Sequence, residues 1–383
     1  MKLCYFINSA SYFILHWLDR ARDAQQSGYQ IHLLAEFYDG KQQELLERKG
    51  IICHPFPLRG ASVSPVHLLL TLFKALRLIR QLQPDLVHCI TIKPCLIGIW
   101  VARRHNTLLS FPGLGRLFSA NHPALRILRR ALCYGWRKAA LRPHCLLTFE
   151  HKGDQQILCN QAQLPVEHTR VTGVSGVNPD EFRFTTSPRN FPPRVLFAAR
   201  LIHAKGLDVL VRICRQLRQE GTELELLVAG LPVHNDPDAI GAEQIQAWSD
   251  AGEIVWLGAC EQMPALLASA DLVALPTRYA EGVPRILLEA AACGRPSVAF
   301  DRGGCRTVLH NNQSGILVPD GDERGFADAL RTLLNDPDCR DRAGRKGREQ
   351  VMSKFTAAEA SRRMLNCYNE LIPSLSVRLV MEK

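Results

Sequence analysis

Short apolar runs of β type alternate with helix-length segments along the whole chain, and this alternation restricts its fold more than any other feature. In the first half the runs fall near residues 3–8, 31–36, 51–56, 86–91, 108–112 and 145–149. In the second half they fall near 194–200, 225–230, 254–258, 271–276 and 297–300. Apolar stretches of this length between helices are the pattern of parallel strands covered on both faces. The turn-rich stretch from Thr185 to Pro193 reads as an interdomain linker. The expected architecture is α/β: two doubly wound, Rossmann-like domains facing each other across a cleft. They would span residues 1–185 and 186–355, with a C-terminal helix, about 356–383, able to pack back on the first. A chain of 383 residues is long enough for two such cores.

Charge is unevenly distributed. Residues 1–185 carry 23 Lys/Arg against 12 Asp/Glu, or +11, and residues 186–383 carry 24 against 25, or −1, which together make the net +10. A basic half implies an anionic partner: nucleic acid, a pyrophosphate or an acidic membrane face. The 13 cysteines show no Cys-x-x-Cys pair and no zinc spacing, and many lie in apolar runs, which points to the reducing cytosol. The first residues read as a strand rather than a signal peptide, and no run of eighteen apolar residues predicts a transmembrane helix.

The stretch Glu281-Gly-Val-Pro-Arg-Ile-Leu-Leu-Glu289 follows the apolar strand Asp271–Pro276. Pro284 suits the first position of a helix. Glu281 then falls in the loop at the strand's carboxyl end, and Glu289 leans back toward the same crevice, because helical side chains tilt toward the N-terminus. Two carboxylates so placed can bind the hydroxyls of a polyol, although a solvated helix start would also favour acids. Earlier in this half, Arg200 ends a buried strand and Lys205-Gly206 begin a helix, a spacing suited to clamping a diphosphate. The triplets Asp236-Pro-Asp238, Asp320-Gly-Asp322 and Asp336-Pro-Asp338 contain Pro or Gly and read as turns, so no metal is expected. Gly113-Leu-Gly115 lacks the third glycine of a dinucleotide loop, Phe118 standing there, and no acid follows within twenty residues, so no NAD or FAD cofactor is expected.

Together, Arg200, Lys205 and the Glu281/Glu289 pair resemble the family-4 retaining glycosyltransferases of GT-B fold. The resemblance extends over Gly230, Gly258, Ala292-Cys-Gly-Arg-Pro-Ser-Val298, Gly303-Gly304 and Asn312-Gln-Ser-Gly-Ile-Leu-Val318. It implies that Arg200 and Lys205 hold a donor diphosphate, with Gly230, Gly258 and the amides of Gly282 and Val283 nearby. It further implies that Glu289 binds the nucleotide ribose and Glu281 the transferred sugar. No residue stands out as a covalent nucleophile, and the family precedent is front-face attack.

Pro84-Asp-Leu-Val-His88 to Lys93-Pro94, Ser110 to Phe118, Phe149 to Asp154 and Gly173 to Asn178 are similar to a subgroup that builds bacterial surface polysaccharides (O-antigen, lipopolysaccharide, capsule). That similarity implies a nucleotide-sugar donor, of UDP type, and a polyprenyl-diphosphate-linked acceptor. Pro112, Glu150, His151 and Asn178 depart from the subgroup's usual residues. The acceptor side would be formed by Ser9, Ser11, His88, Lys93, Gly113 and Gly115, although an apolar-strand histidine is more often a core residue.

Residues 123–143 read as an amphipathic helix with Leu125, Leu128, Leu132, Trp136 and Ala139 on its apolar face. Arg126, Arg129, Arg130, Arg137, Lys138 and Arg142 fill much of the remainder and would attract the anionic inner membrane face. A cytoplasmic, membrane-peripheral enzyme follows. The rival readings are a sugar-nucleotide 2-epimerase and a nucleic-acid-binding protein; no nucleic-acid motif supports the latter, and no nucleic acid is expected as partner.

Overall fold

The structure, a computed structural model, describes residues 1–58, 65–119, 122–233, 236–278, 282–309 and 313–372. It divides into two compact units, Met1–Ser175 together with the chain from Ala357 onward, and Gly176–Thr356.

The first unit is built on a seven-stranded parallel sheet. Its strands are β1 (Lys2–Ser9), β2 (Gln30–Glu36), β3 (Ile52–Pro55), β4 (Leu86–Ile90), β5 (Asn106–Phe111), β6 (Cys145–Phe149) and β7 (Thr169–Val171), in the order β3-β2-β1-β4-β5-β6-β7. Side chains alternate across the sheet with period two. On one face Cys4, Phe6, Val87, Cys89, Leu109 and Leu147 meet the helices Pro65–Leu82, Ile92–Val101, Pro123–Ala140 and Lys152–Ala162. On the other, Leu3, Tyr5, Ile7, Leu33, Leu86 and Leu108 meet the helices Ala10–His16 and Leu18–Gln26 and the C-terminal helix Ala357–Leu371. Trp136 is fully buried in the first face and donates its indole N–H to the carbonyl of Cys95 at 3.0 Å. Burying an aromatic side chain of this kind contributes about 2–3 kcal/mol.

The second unit carries β8 (Arg194–Ala198), β9 (Glu225–Ala229), β10 (Val255–Gly258), β11 (Leu272–Leu275), β12 (Ser297–Phe300) and β13 (Gly315–Val318), all parallel, in the order β10-β9-β8-β11-β12-β13. β7 and β13, the last strands of their units, are absent from the sequence expectation.

The chain leaves the first unit ten residues before the expected boundary of 185/186. Residues 177–185 are bonded to the second unit: the Val177 N–H donates to the Phe355 carbonyl at 2.9 Å, the Arg348 guanidinium to the Phe182 carbonyl at 2.8 Å, and the Arg295 guanidinium to the Thr185 carbonyl at 2.9 Å. Asp271, at the start of β11, accepts hydrogen bonds from Ser187 Oγ (3.1 Å), Asn190 Nδ2 (2.8 Å) and the Arg194 N–H (2.9 Å), and faces the buried Arg340 at 3.5 Å. The segment that reads as a linker is therefore tied to the second unit. The Ala357–Leu371 helix is fixed to the first unit by Tyr368, whose hydroxyl lies 2.8 Å from that of Tyr5, and by the Arg170–Glu370 ion pair. All thirteen cysteines are free thiols, and no described helix is long and apolar enough to cross a membrane.

Candidate active site

In each sheet the strand order reverses once, and it is at the carboxyl ends of the two strands at such a point that open α/β sheets bind ligands. In the second unit these strands are β8 and β11. The chain leaving β8 passes through Arg200, which is exposed, and makes a 3-10 turn over His203–Lys205 before the helix Leu207–Gln219. Gly206 joins turn and helix at φ +84°, and a Cβ there would stand 2.1 Å from the carbonyl oxygen of Pro276, just past β11. Only glycine permits that approach. The Arg278 N–H then donates to the Ala204 carbonyl at 2.8 Å, and the Arg278 guanidinium reaches the His203 carbonyl at 3.2 Å. The loop that carries Lys205 is thereby docked on the loop leading toward Glu281. Glu281 itself lies outside the described residues.

The β12 loop closes on the same edge. A Cβ at Gly304 would meet the Gly282 carbonyl oxygen at 2.0 Å and Val283 Cα at 2.5 Å, so the Gly303-Gly304 turn lies flat against those two half-buried residues. Gly230 and Gly258 end β9 and β10, and the Gly230 N–H donates to the Gly258 carbonyl at 2.8 Å. Pro284 is the N-cap rather than the first residue of the helix Arg285–Ala292.

Glu289 is only 7% exposed, and its Oε1 accepts from Arg285 Nε at 2.5 Å. Burial pushes its carboxyl up from the usual carboxylate range, with Arg285 opposing and Glu181 adding to the shift. Arg285 is absent from the sequence expectation, although its spacing of four from Glu289 is that of a helical ion pair. The three Asp triplets are used in turns and caps. Asp238 accepts from the Ala204 N–H at 3.0 Å, Asp322 caps the helix Glu323–Asn335 and Asp336 caps Pro337–Lys354.

In the first unit the order reverses between β1 and β4, and most of the acceptor-side candidates lie at these strand ends. Ser9 caps the Ala10–His16 helix by accepting from the Tyr12 N–H at 3.3 Å, and Ser11 Oγ accepts from Gln42 Nε2 at 2.9 Å. Lys93 is in the first turn of Ile92–Val101, where partial burial lowers its pKa and Glu36 opposes the shift. Gly113 and Gly115 follow β5. Thr91, just before Lys93, has φ +75°, which is strained for a β-branched residue, and its Oγ1 is buried without a partner. No sequence signal marks that strain.

His88 does not belong to this group. It is fully buried, with Nδ1 2.9 Å from the Tyr368 hydroxyl and Nε2 2.6 Å from Ser110 Oγ. The C-terminal helix covers it, and no face of the ring is left for an acceptor. Burial, with the charge of Arg20 adding, holds its pKa well below the ordinary value of 6.5.

The departures from the subgroup have local roles. His151 caps Lys152–Ala162 and pairs with Asp154 at 3.2 Å, and Asn178 Oδ1 accepts from the Asp180 N–H at 3.0 Å. Glu150 lies in the field of the buried Arg20, and Pro112 follows β5 half-buried.

On the Pro123–Ala140 helix the expected apolar face is buried only from Cys133 onward. Leu128 is 47% exposed, contrary to expectation, while Leu125 and Leu132 on the same face are half-buried. Of the basic residues, Arg129 donates to the carbonyl of Phe118 at 2.9 Å and Arg142 to that of Ile99 at 3.3 Å. Arg126, Arg130 and Lys138 are exposed, and Arg137 is half-buried.

Two Rossmann-like units, each with loops gathered at the carboxyl edge of a parallel sheet, are the architecture of the GT-B glycosyltransferases. Residues 2–141 match the model described as "Glycosyl transferase 4-like" and residues 192–336 that described as "Glycosyl transferases group 1". The chain belongs to this family of glycosyltransferases. It is 29% identical over 182 residues to the alpha-D-kanosaminyltransferase of Streptomyces kanamyceticus, covering 47% of this chain and 46% of that protein. It is 32% identical over 177 residues to the amylovoran biosynthesis glycosyltransferase AmsK of Erwinia amylovora, covering 44% and 42%. The match thus spans less than half the length of either relative. Among solved structures, Anabaena HepE in complex with UDP has a TM-score of 0.76 at 20% identity, covering 96% of this chain and 100% of that one, a likeness of fold.

Proposed function

We propose that this protein is a retaining glycosyltransferase of surface-polysaccharide biosynthesis. It moves a hexose or N-acetylhexosamine from a UDP-linked donor to a polyprenyl-diphosphate-linked saccharide. The observation that carries the reading is the docking of the Lys205-Gly206 turn on the β11 loop at the reversal point of the second sheet. That contact supports a site where cations and the Gly282–Val283 amides meet one diphosphate. AmsK, named for amylovoran biosynthesis, and HepE, solved with UDP, favour this polymer class and this nucleotide.

Arg200 and Lys205 stabilise the charge that develops on the leaving diphosphate, the electrostatic contribution that usually dominates such catalysis. They do so without a metal. Glu281 orients the transferred sugar, and Glu289, steadied by Arg285, receives the ribose. The bond from sugar C1 to the diphosphate oxygen breaks, and a bond from C1 to the acceptor oxygen forms on the same face. The acceptor's proton passes to the departing phosphate oxygen. Ser9, Ser11, Lys93, Gly113 and Gly115 hold the acceptor, and the exposed Arg126, Arg130 and Lys138 draw the protein to anionic lipid.

The test is incubation with UDP-sugars and a lipid-linked acceptor in chelator. Transfer that requires both substrates supports the reading. Turnover of the UDP-sugar to an epimer without acceptor overturns it.

A further inference from the structure

Between Glu47 and Glu150 the sequence holds 16 Lys/Arg and a single acid, Asp85. The Asp85 carboxylate accepts the Lys2 backbone N–H at 2.7 Å, at the amino edge of the sheet. The three helices Pro65–Leu82, Ile92–Val101 and Pro123–Ala140, which cover one face of the first sheet, contain no Asp or Glu.

The Pro65–Leu82 helix has two apolar sides. Ala75 and Ile79 are buried in the core, with Leu72 and Leu76 packed beside them. On its exposed side, Leu69, Leu70 and Phe73 are 53%, 51% and 62% exposed, next to the exposed Lys74, Arg77 and Arg80. A helix that faced only water would carry polar residues at those positions. The surface continues sideways. Leu76, Ile79 and Arg80 share a hollow with Trp100, Arg103 and Arg104. The Pro123–Ala140 helix, which packs on the same face of the sheet, adds Ile127 and Tyr134, 70% and 59% exposed.

Apolar side chains rimmed by cations, with an aromatic at the boundary, fit the interface of an anionic bilayer. A second copy of this surface would be repelled by the same cations. We infer that the Pro65–Leu82 helix is the membrane-insertion element, with Leu69, Leu70 and Phe73 at the acyl boundary and Lys74, Arg77 and Arg80 among the headgroups. This names how the proposed enzyme reaches a lipid-linked acceptor and rests on that reading.

The experiment is co-sedimentation of the full chain with phosphatidylglycerol/phosphatidylethanolamine vesicles and with phosphatidylcholine vesicles. Size-exclusion chromatography and transfer to detergent-solubilised acceptor are measured alongside. The parent binds the anionic vesicles, and Leu70→Ser/Phe73→Ser weakens that binding about tenfold or more at low and high salt alike. Arg126→Gln/Arg130→Gln weakens it only at low salt. Unchanged binding by the Leu70/Phe73 variant overturns the inference. So does a parent dimer that this variant dissociates, because a second copy then covers the surface. Transfer in detergent reports on the proposed function and is the same in parent and Leu70/Phe73 variant, so either proposal can fail alone.

Discussion

Arg285 Nε stands 2.5 Å from Glu289 Oε1, one turn earlier on a helix that begins at the carboxyl edge of the second sheet. The acid is buried while Arg285 keeps about a quarter of its side chain exposed (24%). Arg285→Ala leaves a buried carboxylate without its cation and costs about 1–3 kcal/mol, at the low end for buried pairs because the arginine is partly solvated. Burial already raises the folded pKa of Glu289 above its ordinary value of 4.5, and the substitution raises it further. The penalty is therefore greatest when Glu289 must be ionised, and it shrinks as pH falls toward 4.5. Urea unfolding of parent and variant at pH 7 and pH 5 checks this: the gap between them narrows at the lower pH.

Arg200→Ala and Lys205→Ala each lower kcat by roughly a hundredfold to a thousandfold, the usual cost of removing one group that stabilises developing charge. Both residues lie in loops at the sheet edge, so the thermal midpoint stays close to that of the parent. Steady-state kinetics beside a melting curve separates the two effects.

Gly206→Ala fails for a backbone reason. The new Cβ would lie 2.1 Å from the Pro276 oxygen at a φ of +84°. The left-handed conformation alone costs about 1–2 kcal/mol, and the collision moves the Lys205 turn off the β11 loop. Gly304→Ala, at an ordinary φ of −73°, disturbs Gly282 and Val283 by collision alone. Both variants lose stability and donor affinity together, whereas Lys205→Ala loses affinity and rate with its stability kept.

The His88 network makes the first unit sensitive to acid. An unfolded histidine takes up a proton near pH 6.5, but the buried His88 resists it until the pH is much lower. Its contribution is whole above pH 6.5 and declines below it by about 1.4 kcal/mol per pH unit until the folded pKa is reached. Trp17, whose ring centroid lies 5.0 Å from that of His88, is a local fluorescence probe. His88→Gln flattens the decline between pH 6.5 and 5. Tyr368→Phe removes the bonds to Tyr5 and His88, costs about 1–2 kcal/mol and leaves UDP affinity unchanged.

Most of the strands were legible because a parallel strand covered on both faces reads as a continuous apolar run. Thr169–Val171 gives no such signal, with one apolar residue in three, whereas Gly315–Val318 is no shorter than strands that were read. The site was legible where the chemistry lies close in sequence, as in Arg200 with Lys205. It was not legible where distant segments decide. The apolar strand around His88 already favoured a core residue, but did not reveal its partner Tyr368, 280 positions away, which bonds its ring. The interdomain boundary moved because Arg348 bonds the Phe182 carbonyl, 166 positions earlier, and Arg295 that of Thr185, 110 positions earlier. The exposure of Leu128 was not legible, because amphipathic spacing says which residues share a face, not which of them meet the core.

The central claim is that the cations at the edge of the second sheet grip a nucleoside diphosphate. Isothermal titration of UDP into the full chain in EDTA tests it most directly, comparing the parent with Arg200→Ala/Lys205→Ala. The account predicts binding by the parent in chelator and a Kd at least about a hundredfold higher for the variant. A folded variant that binds UDP as tightly as the parent would contradict it.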